Sequence, residues 1–184
     1  MAIQESLSQQ VETIQRQYQQ KLPPVQTWNP PLSGEMDMVI QADGQWRHEG
    51  DIIQRQSLVN LFSTILKKEG DDYYLVTPVE KWKIQVEDAP FVIVDFEFAE
   101  TTNYSLKYFT FITSYGDKVV VDKDHPLWVD YAEGQDKPKP YVIVRHDMPG
   151  LIHRKVYYQL VDLALKNNEE NPGMTSCGEF FSLF

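Results

Sequence analysis

Apolar residues recur along this chain with two different periods, and the switches between them mark out its elements. Leu7, Val11, Ile14 and Tyr18 stand four, three and four residues apart among many glutamines, one narrow stripe that predicts a helix over residues 2–22. Pro23 and Pro24 stop it, because proline lacks the amide hydrogen and restricts its predecessor. A stripe this thin is expected to dock in cis on the domain that follows. Trp28-Asn29-Pro30-Pro31 then forms a rigid, extended entry. Alternation with period two takes over at residues 37–41 and 45–49, two strands joined at Asp43-Gly44, among the strongest short hairpin signals. Leu58, Leu61, Phe62, Ile65 and Leu66 return to helical spacing and predict a helix over residues 55–68, ended by Gly70.

β-branched and aromatic residues then dominate residues 73–76, 81–86 and 91–98, with Pro78 and Pro90 at the breaks. The polar stretch 101–105 is the one plausible mid-chain boundary. A hairpin follows over 107–114 and 117–121 around Tyr115-Gly116, then strands at 127–131 and 141–145 separated by a loop over 133–140. Pro149-Gly150 reads as a turn, and residues 153–166 as a second helix with Tyr157, Leu160, Val161 and Ala164 inward. The tail ends in Phe180, Phe181, Leu183 and Phe184, which are expected to pack back on the domain, since four exposed large apolar groups promote aggregation.

Short internal matches overlie this pattern. Ile53-Gln54-Arg55 leads into the first predicted helix as Ile152-His153-Arg154 leads into the second, and residues 83–88 parallel residues 118–123. The matches run in the order A, B, B′, A′, which suggests two related halves.

Composition narrows the classes of function. The chain has 184 residues, 27 acidic against 17 basic, and a net charge of −10. The excess sits in residues 28–100, which carry 14 acids against 6 bases. Nucleic-acid affinity comes mainly from clustered Lys and Arg, so a phosphate-backbone binder is excluded and an anionic membrane disfavoured. No run of about 18 apolar residues and no secretory signal is visible. The one cysteine, Cys177, excludes a disulfide scaffold and points to a reducing compartment, the cytoplasm.

No phosphate loop, dinucleotide fingerprint, nucleophile elbow or zinc helix occurs, so no catalytic residue, metal or cofactor is assigned. His48-Glu49-Gly50-Asp51 and Asp122-Lys123-Asp124-His125 bring potential ligands together without the spacing of a known site, and surface turns explain both equally well. The arginines are more informative. Arg55, Arg145 and Arg154 fall at predicted element ends, where a guanidinium can grip a carboxylate or phosphate with two parallel bonds; structural pairing with nearby Asp or Glu is the plainer explanation. Trp46, beside His48 on a predicted strand, lines either a pocket or the core.

An ordered series of motifs carries a family resemblance. Residues 28–31, 34–38, 43–46, 48–50, 58–63, 74–80, 86–91, 125–127, 141–145 and 156–158, with Ile53 and Arg55, resemble the bacterial family catalogued as domain of unknown function 1285. The resemblance covers about Trp28 to Phe181. It implies an α+β protein with two related sub-domains built from repeated strand and helix motifs, and with the residue pattern the expectation is mostly antiparallel sheets, two packed helices and an N-terminal helix, the part the resemblance covers least. The expected divisions are 1–27, 28–103 and 104–184. A part in signal transduction has been suggested for the family, and no catalytic residue comes with the resemblance.

The leading expectation is a binding or regulatory module, ahead of an enzyme, holding a small anionic ligand or a partner peptide between its halves. Arg55 and Arg154 would grip the negative groups while Trp46, His48, His125 and Arg145 shape the site. The rivals are a hydrolase drawing on His48, Glu49, Asp124 and His125, and an adaptor using the first helix or sheet edges.

Overall fold

The computed structural model describes residues 2–18, 21–100, 107–131, 137–167 and 170–184. The chain divides into two compact units, Met1–Asp88 and Ala89–Phe184. The boundary expected at 103/104 therefore falls at 88/89, and residues 1–27 belong to the first unit instead of standing apart. The polar stretch 101–105 on which the expectation rested lies outside the described residues.

The first unit opens with helix α1 (Ala2–Gln17), whose stripe Leu7, Val11 and Ile14 is buried. The docking is in cis: Gln15 Nε2 donates to Thr64 Oγ1 at 2.8 Å, and Thr77 Oγ1 donates to Gln10 Oε1 at 3.3 Å. Strands β1 (Leu32–Ile40), β2 (Trp46–His48) and β3 (Asp51–Ile52) form a meander. Asp43 Oδ1 accepts the Gln45 amide at 2.9 Å, and Gly44 takes a φ of 86° to close the expected hairpin. Helix α2 (Gln56–Ser63) follows, then β4 (Leu66–Glu69), β5 (Asp72–Val76) and β6 (Lys81–Val86). The sheet order is β3-β2-β1-β6-β5-β4, antiparallel except for the central β1–β6 pair.

The helix expected over 55–68 stops five residues early. The Ser63 and Thr64 hydroxyls fold back onto the carbonyls of Asn60 and Leu61, both at 2.7 Å, and compete with the next helical turn. Residues 66–69 then pair with β5, which gives their backbone a full ladder. Gly70, at φ 62°, turns that hairpin and does not cap a helix.

A buried lysine locks the entry segment. Lys67 Nζ donates to the Trp28 carbonyl at 2.8 Å and to Asn29 Oδ1 at 3.0 Å, and pairs with Glu69 at 3.1 Å; Lys81 meets the other Glu69 oxygen at 2.8 Å. The Lys81 hydrogen bond holds the Glu69 carboxyl below its ordinary 4.5 against the upward push of partial burial, with Lys67 adding to the pull.

In the second unit β7 (Phe91–Glu100), β8 (Lys107–Thr113) and β9 (Lys118–Val120) form one meander and β10 (Leu127–Asp130), β11 (Lys139–Arg145) and β12 (Met148–Ile152) another. Helix α3 (Arg154–Asn167) and a hairpin of β13 (Gly173–Ser176) and β14 (Glu179–Ser182) complete it. The order is β10-β11-β12-β7-β8-β9, with β12 and β7 parallel at the centre. The expected turn at Pro149-Gly150 lies inside β12. His146 and Asp147, at φ 49° and 59°, make the tight turn instead, a pair of left-handed residues of the kind two-residue hairpins need. Of the loop expected over 133–140, residues 133–136 fall outside the described residues, 137–138 are loop as expected, and 139–140 already belong to β11.

Both sheets follow one plan: two three-stranded meanders joined where the first strand runs parallel to the sixth. This is the α+β architecture of two related domains. The short sequence matches do not map onto it, because residues 83–86 lie on central β6 whereas residues 118–120 form edge strand β9, and α2 follows the third strand where α3 follows the sixth. No helix among the described residues is long and apolar enough to cross a membrane.

Two predictions follow from this packing. A Cβ on Gly150 would stand 2.8 Å from Val144 Cγ2 and 3.2 Å from Ile93 Cδ1. Gly150→Ala should therefore cost about 1–3 kcal/mol in urea unfolding, and an unchanged midpoint would remove the close-approach explanation. Because the Glu69 pKa is lowered on folding, its contribution is complete above the unfolded value and is lost as pH falls through the folded one. Glu69→Gln should flatten the loss of stability between about pH 6 and pH 3; an acid limb as steep as wild type would refute this.

Candidate functional site

The residues singled out from sequence are divided between the units, Trp46, His48 and Arg55 in the first and His125, Arg145 and Arg154 in the second. Trp46 is 1% exposed and stacks on Phe62 of α2, centroids 6.3 Å apart, so its ring belongs to the core of its sheet. His48 is half-buried at the end of β2, opposite Asp51 on β3. Arg55 is the N-terminal cap of α2 in extended backbone, its side chain exposed and making no capping bond. The neighbouring Arg47, which drew no attention in the sequence, bonds Gln41 Oε1 at 2.6 Å and the Gly50 carbonyl at 2.9 Å, tying two turns together.

Arg145 meets Asp117 Oδ2 at 3.1 Å and lies 4.8 Å over the Phe91 ring. Burial lowers its pKa and Asp117 opposes that, an arrangement suited to holding β11 beside the β8–β9 turn. His125 closes a turn: Asp122 Oδ1 accepts its amide at 2.8 Å, the Asp124 amide at 2.9 Å, and lies 3.0 Å from its Nδ1. Burial pushes the Asp122 carboxyl up, and these bonds together bring it below its ordinary value. Arg154 is exposed on the first turn of α3, where the His153 ring accepts the Lys155 amide at 3.3 Å. Among the described residues no three His, Cys, Asp or Glu converge as a metal site.

The second unit contains a concavity that none of these residues lines. A cavity of about 690 Å³ opens between the outer ends of β7 and β8, helix α3 and the C-terminal hairpin. Phe98, Phe109, Leu160, Leu163, Ala164, Met174 and Phe180 supply apolar wall; Lys107, Asn167, Asn171 and Thr175 supply the polar groups. Cavities of this size hold drug-sized molecules. The strand register explains the wall: Phe98 faces Phe109 across β7–β8, ring centroids 4.9 Å apart, and α3 contributes residues at helical spacing.

The far wall depends on how the hairpin is attached. Phe109 and Val121 should exchange two backbone bonds as the next rung of the β8–β9 ladder. Only one forms, Val121 N–H to the Phe109 carbonyl at 2.9 Å. Fully buried Ser176 replaces the other, its Oγ accepting the Phe109 amide at 3.0 Å and donating to the Val121 carbonyl at 2.5 Å. Beside it the Cys177 amide donates to the Lys107 carbonyl at 2.9 Å, and the Tyr157 hydroxyl of α3 donates to the Leu183 carbonyl at 2.6 Å. Phe181 and Leu183 are buried, as expected for the aromatic tail, whereas Phe180 is half-exposed at the cavity and Phe184 is exposed.

Comparison with known proteins agrees with this division. The model described as Domain of unknown function (DUF1285), N-terminal domain, matches residues 23–89, and Protein of unknown function (DUF1285), C-terminal domain, matches residues 90–183. The crystal structure of a DUF1285 family protein from Silicibacter pomeroyi DSS-3 is 44% identical, covers 89% of this chain and 87% of its own, and superposes with a TM-score of 0.80. A second, from Shewanella baltica OS155, is 30% identical over 69% of this chain and 91% of its own, TM-score 0.53. No protein with a curated description matches.

The Ser176 bridge is open to test. Ser176→Ala leaves a buried amide and carbonyl without their partner and should destabilise the second unit by about 1–3 kcal/mol. Hydrogen exchange at the Phe109 amide should accelerate with it. An unchanged exchange rate would show that the hairpin is held elsewhere.

Proposed function

We propose a function from the premise that this chain belongs to the DUF1285 family: it is a binding and regulatory module whose C-terminal domain takes up a small molecule with a largely apolar body. The cavity of about 690 Å³ carries this reading. Its described lining contains no carboxylate, histidine or cysteine to act as base or nucleophile, which favours binding over turnover. One wall comes from a separate two-stranded hairpin, so occupancy and hairpin attachment are coupled, and such coupling is what a regulatory module needs. The single thiol keeps the cytoplasm as its setting.

An anionic ligand held at Arg55 or at Arg154, each within its own unit, remains a second reading. One observation favours it: both side chains are exposed at helix starts and neither has an ion pair among the described residues. Backbone amides at those helix starts would then add to the grip on a carboxylate or phosphate.

A thermal-shift screen of amphipathic and anionic small molecules separates the two. A cavity ligand at a hundred times its Kd should raise the midpoint by about 5–10 °C. Leu163→Trp, which fills the cavity from α3, should abolish that shift, and Arg55→Ala with Arg154→Ala should leave it intact. The reverse pattern would move the site to the arginines, and no shift from any molecule would remove both readings.

A further inference from the structure

The geometry points to a specific class of ligand for this cavity, an aliphatic carboxylate whose tail lies among the phenylalanine and leucine side chains and whose head meets Lys107. The inference rests on the cavity being a binding site and adds the chemistry of what it binds.

Charge complementarity carries it. Acids outnumber bases by 27 to 17 in this chain, yet the one charged residue in the described lining is a lysine. Lys107 also differs from the lysines that hold the structure together. Lys67, Lys81, Lys83 and Lys118 each have a carboxylate within 3.1 Å, whereas Lys107 has none among the described residues. Its backbone is nonetheless fixed, because its carbonyl accepts the Cys177 amide at the hairpin turn. An ammonium at the edge of an apolar cavity, on an anchored strand, is a partner for an anion and repels a cation. Asn167 offers an amide donor on the same lining.

Glu100 stands opposite Lys107 in the β7–β8 register, and two further acids line a neighbouring recess. Asp95 and Asp162 line a shallower recess that shares Leu163 with the cavity, together with Lys166. The tail needs no specific contact. Each methylene removed from water strengthens binding by about fourfold until the cavity is filled.

Calorimetric titration of the full chain at neutral pH with octanoate, decanoate, decanol, decylamine and decyl phosphate tests the assignment. Decanoate should bind more tightly than octanoate by about fourfold per added methylene, and more tightly than decanol or decylamine. Lys107→Gln should weaken decanoate about tenfold and leave decanol unchanged, while Leu163→Trp should remove both. Lys107 is exposed, so its replacement does not threaten folding. Equal or tighter binding of decanol would overturn the anionic head and leave the cavity as a binding site. Decyl phosphate binding in preference to decanoate would replace the carboxylate with a phosphate. Binding unaffected by Leu163→Trp, or no binding of any member, would overturn the inference; the second result would count against the cavity itself.

Discussion

Two strands that run parallel at the centre of a sheet cannot be joined by a hairpin, and this constraint organises both domains. In the first, β1 lies beside β6; in the second, β7 lies beside β12. The chain between each pair must leave the centre, build one flank outward, cross, and return along the other flank. Four of the six strands in each sheet are the consequence. A helix is then needed to cover a face, and the two domains place it differently: α2 within the crossover, α3 after the sheet is complete. That late position leaves α3 free to pack against both β7 and the C-terminal hairpin, which is how the cavity comes to exist in one domain.

Much of this was legible in the chain. Asp43-Gly44 closed the hairpin it announced, the α1 stripe buried the residues its spacing selected, and β6 occupies the expected residues 81–86. The failures have a common cause in turns that lack the usual signals. His146 and Asp147 adopt left-handed backbone without glycine, while Pro149-Gly150, the stronger turn signal nearby, serves packing: its glycine admits Val144, Ile93 and Phe91. In α2 the helical spacing of Ile65 and Leu66 also suits a buried strand, and the hydroxyls of Ser63 and Thr64 decide between them. The mirrored sequence matches pointed to two related halves, which are present, but they do not mark equivalent elements. Short β-rich words recur wherever a strand needs branched residues, on central and edge strands alike.

The candidate site was the least legible part. Its lining is drawn from residues 98 to 180, and no local spacing announces that these positions converge. The sequence drew attention to arginine, histidine and tryptophan because their chemistry is conspicuous. Two of them, Trp46 and Arg145, prove to be held inside their own domains by an aromatic neighbour and by an acid. The more informative residue was a lysine with no carboxylate partner among the described residues. Its sequence context, between a polar stretch and an aromatic strand, gave no hint of that.

The parallel pairing in the first domain also has a mechanical side. Because β1 and β6 are neighbours that point the same way, the start of one and the end of the other lie at opposite ends of the pair. Tension transmitted along the chain through this domain would slide the two strands lengthwise. Their hydrogen bonds would be loaded together, not one after another as when a hairpin is peeled open. The domain is thus built to resist a pull along its own chain far better than its modest helices suggest.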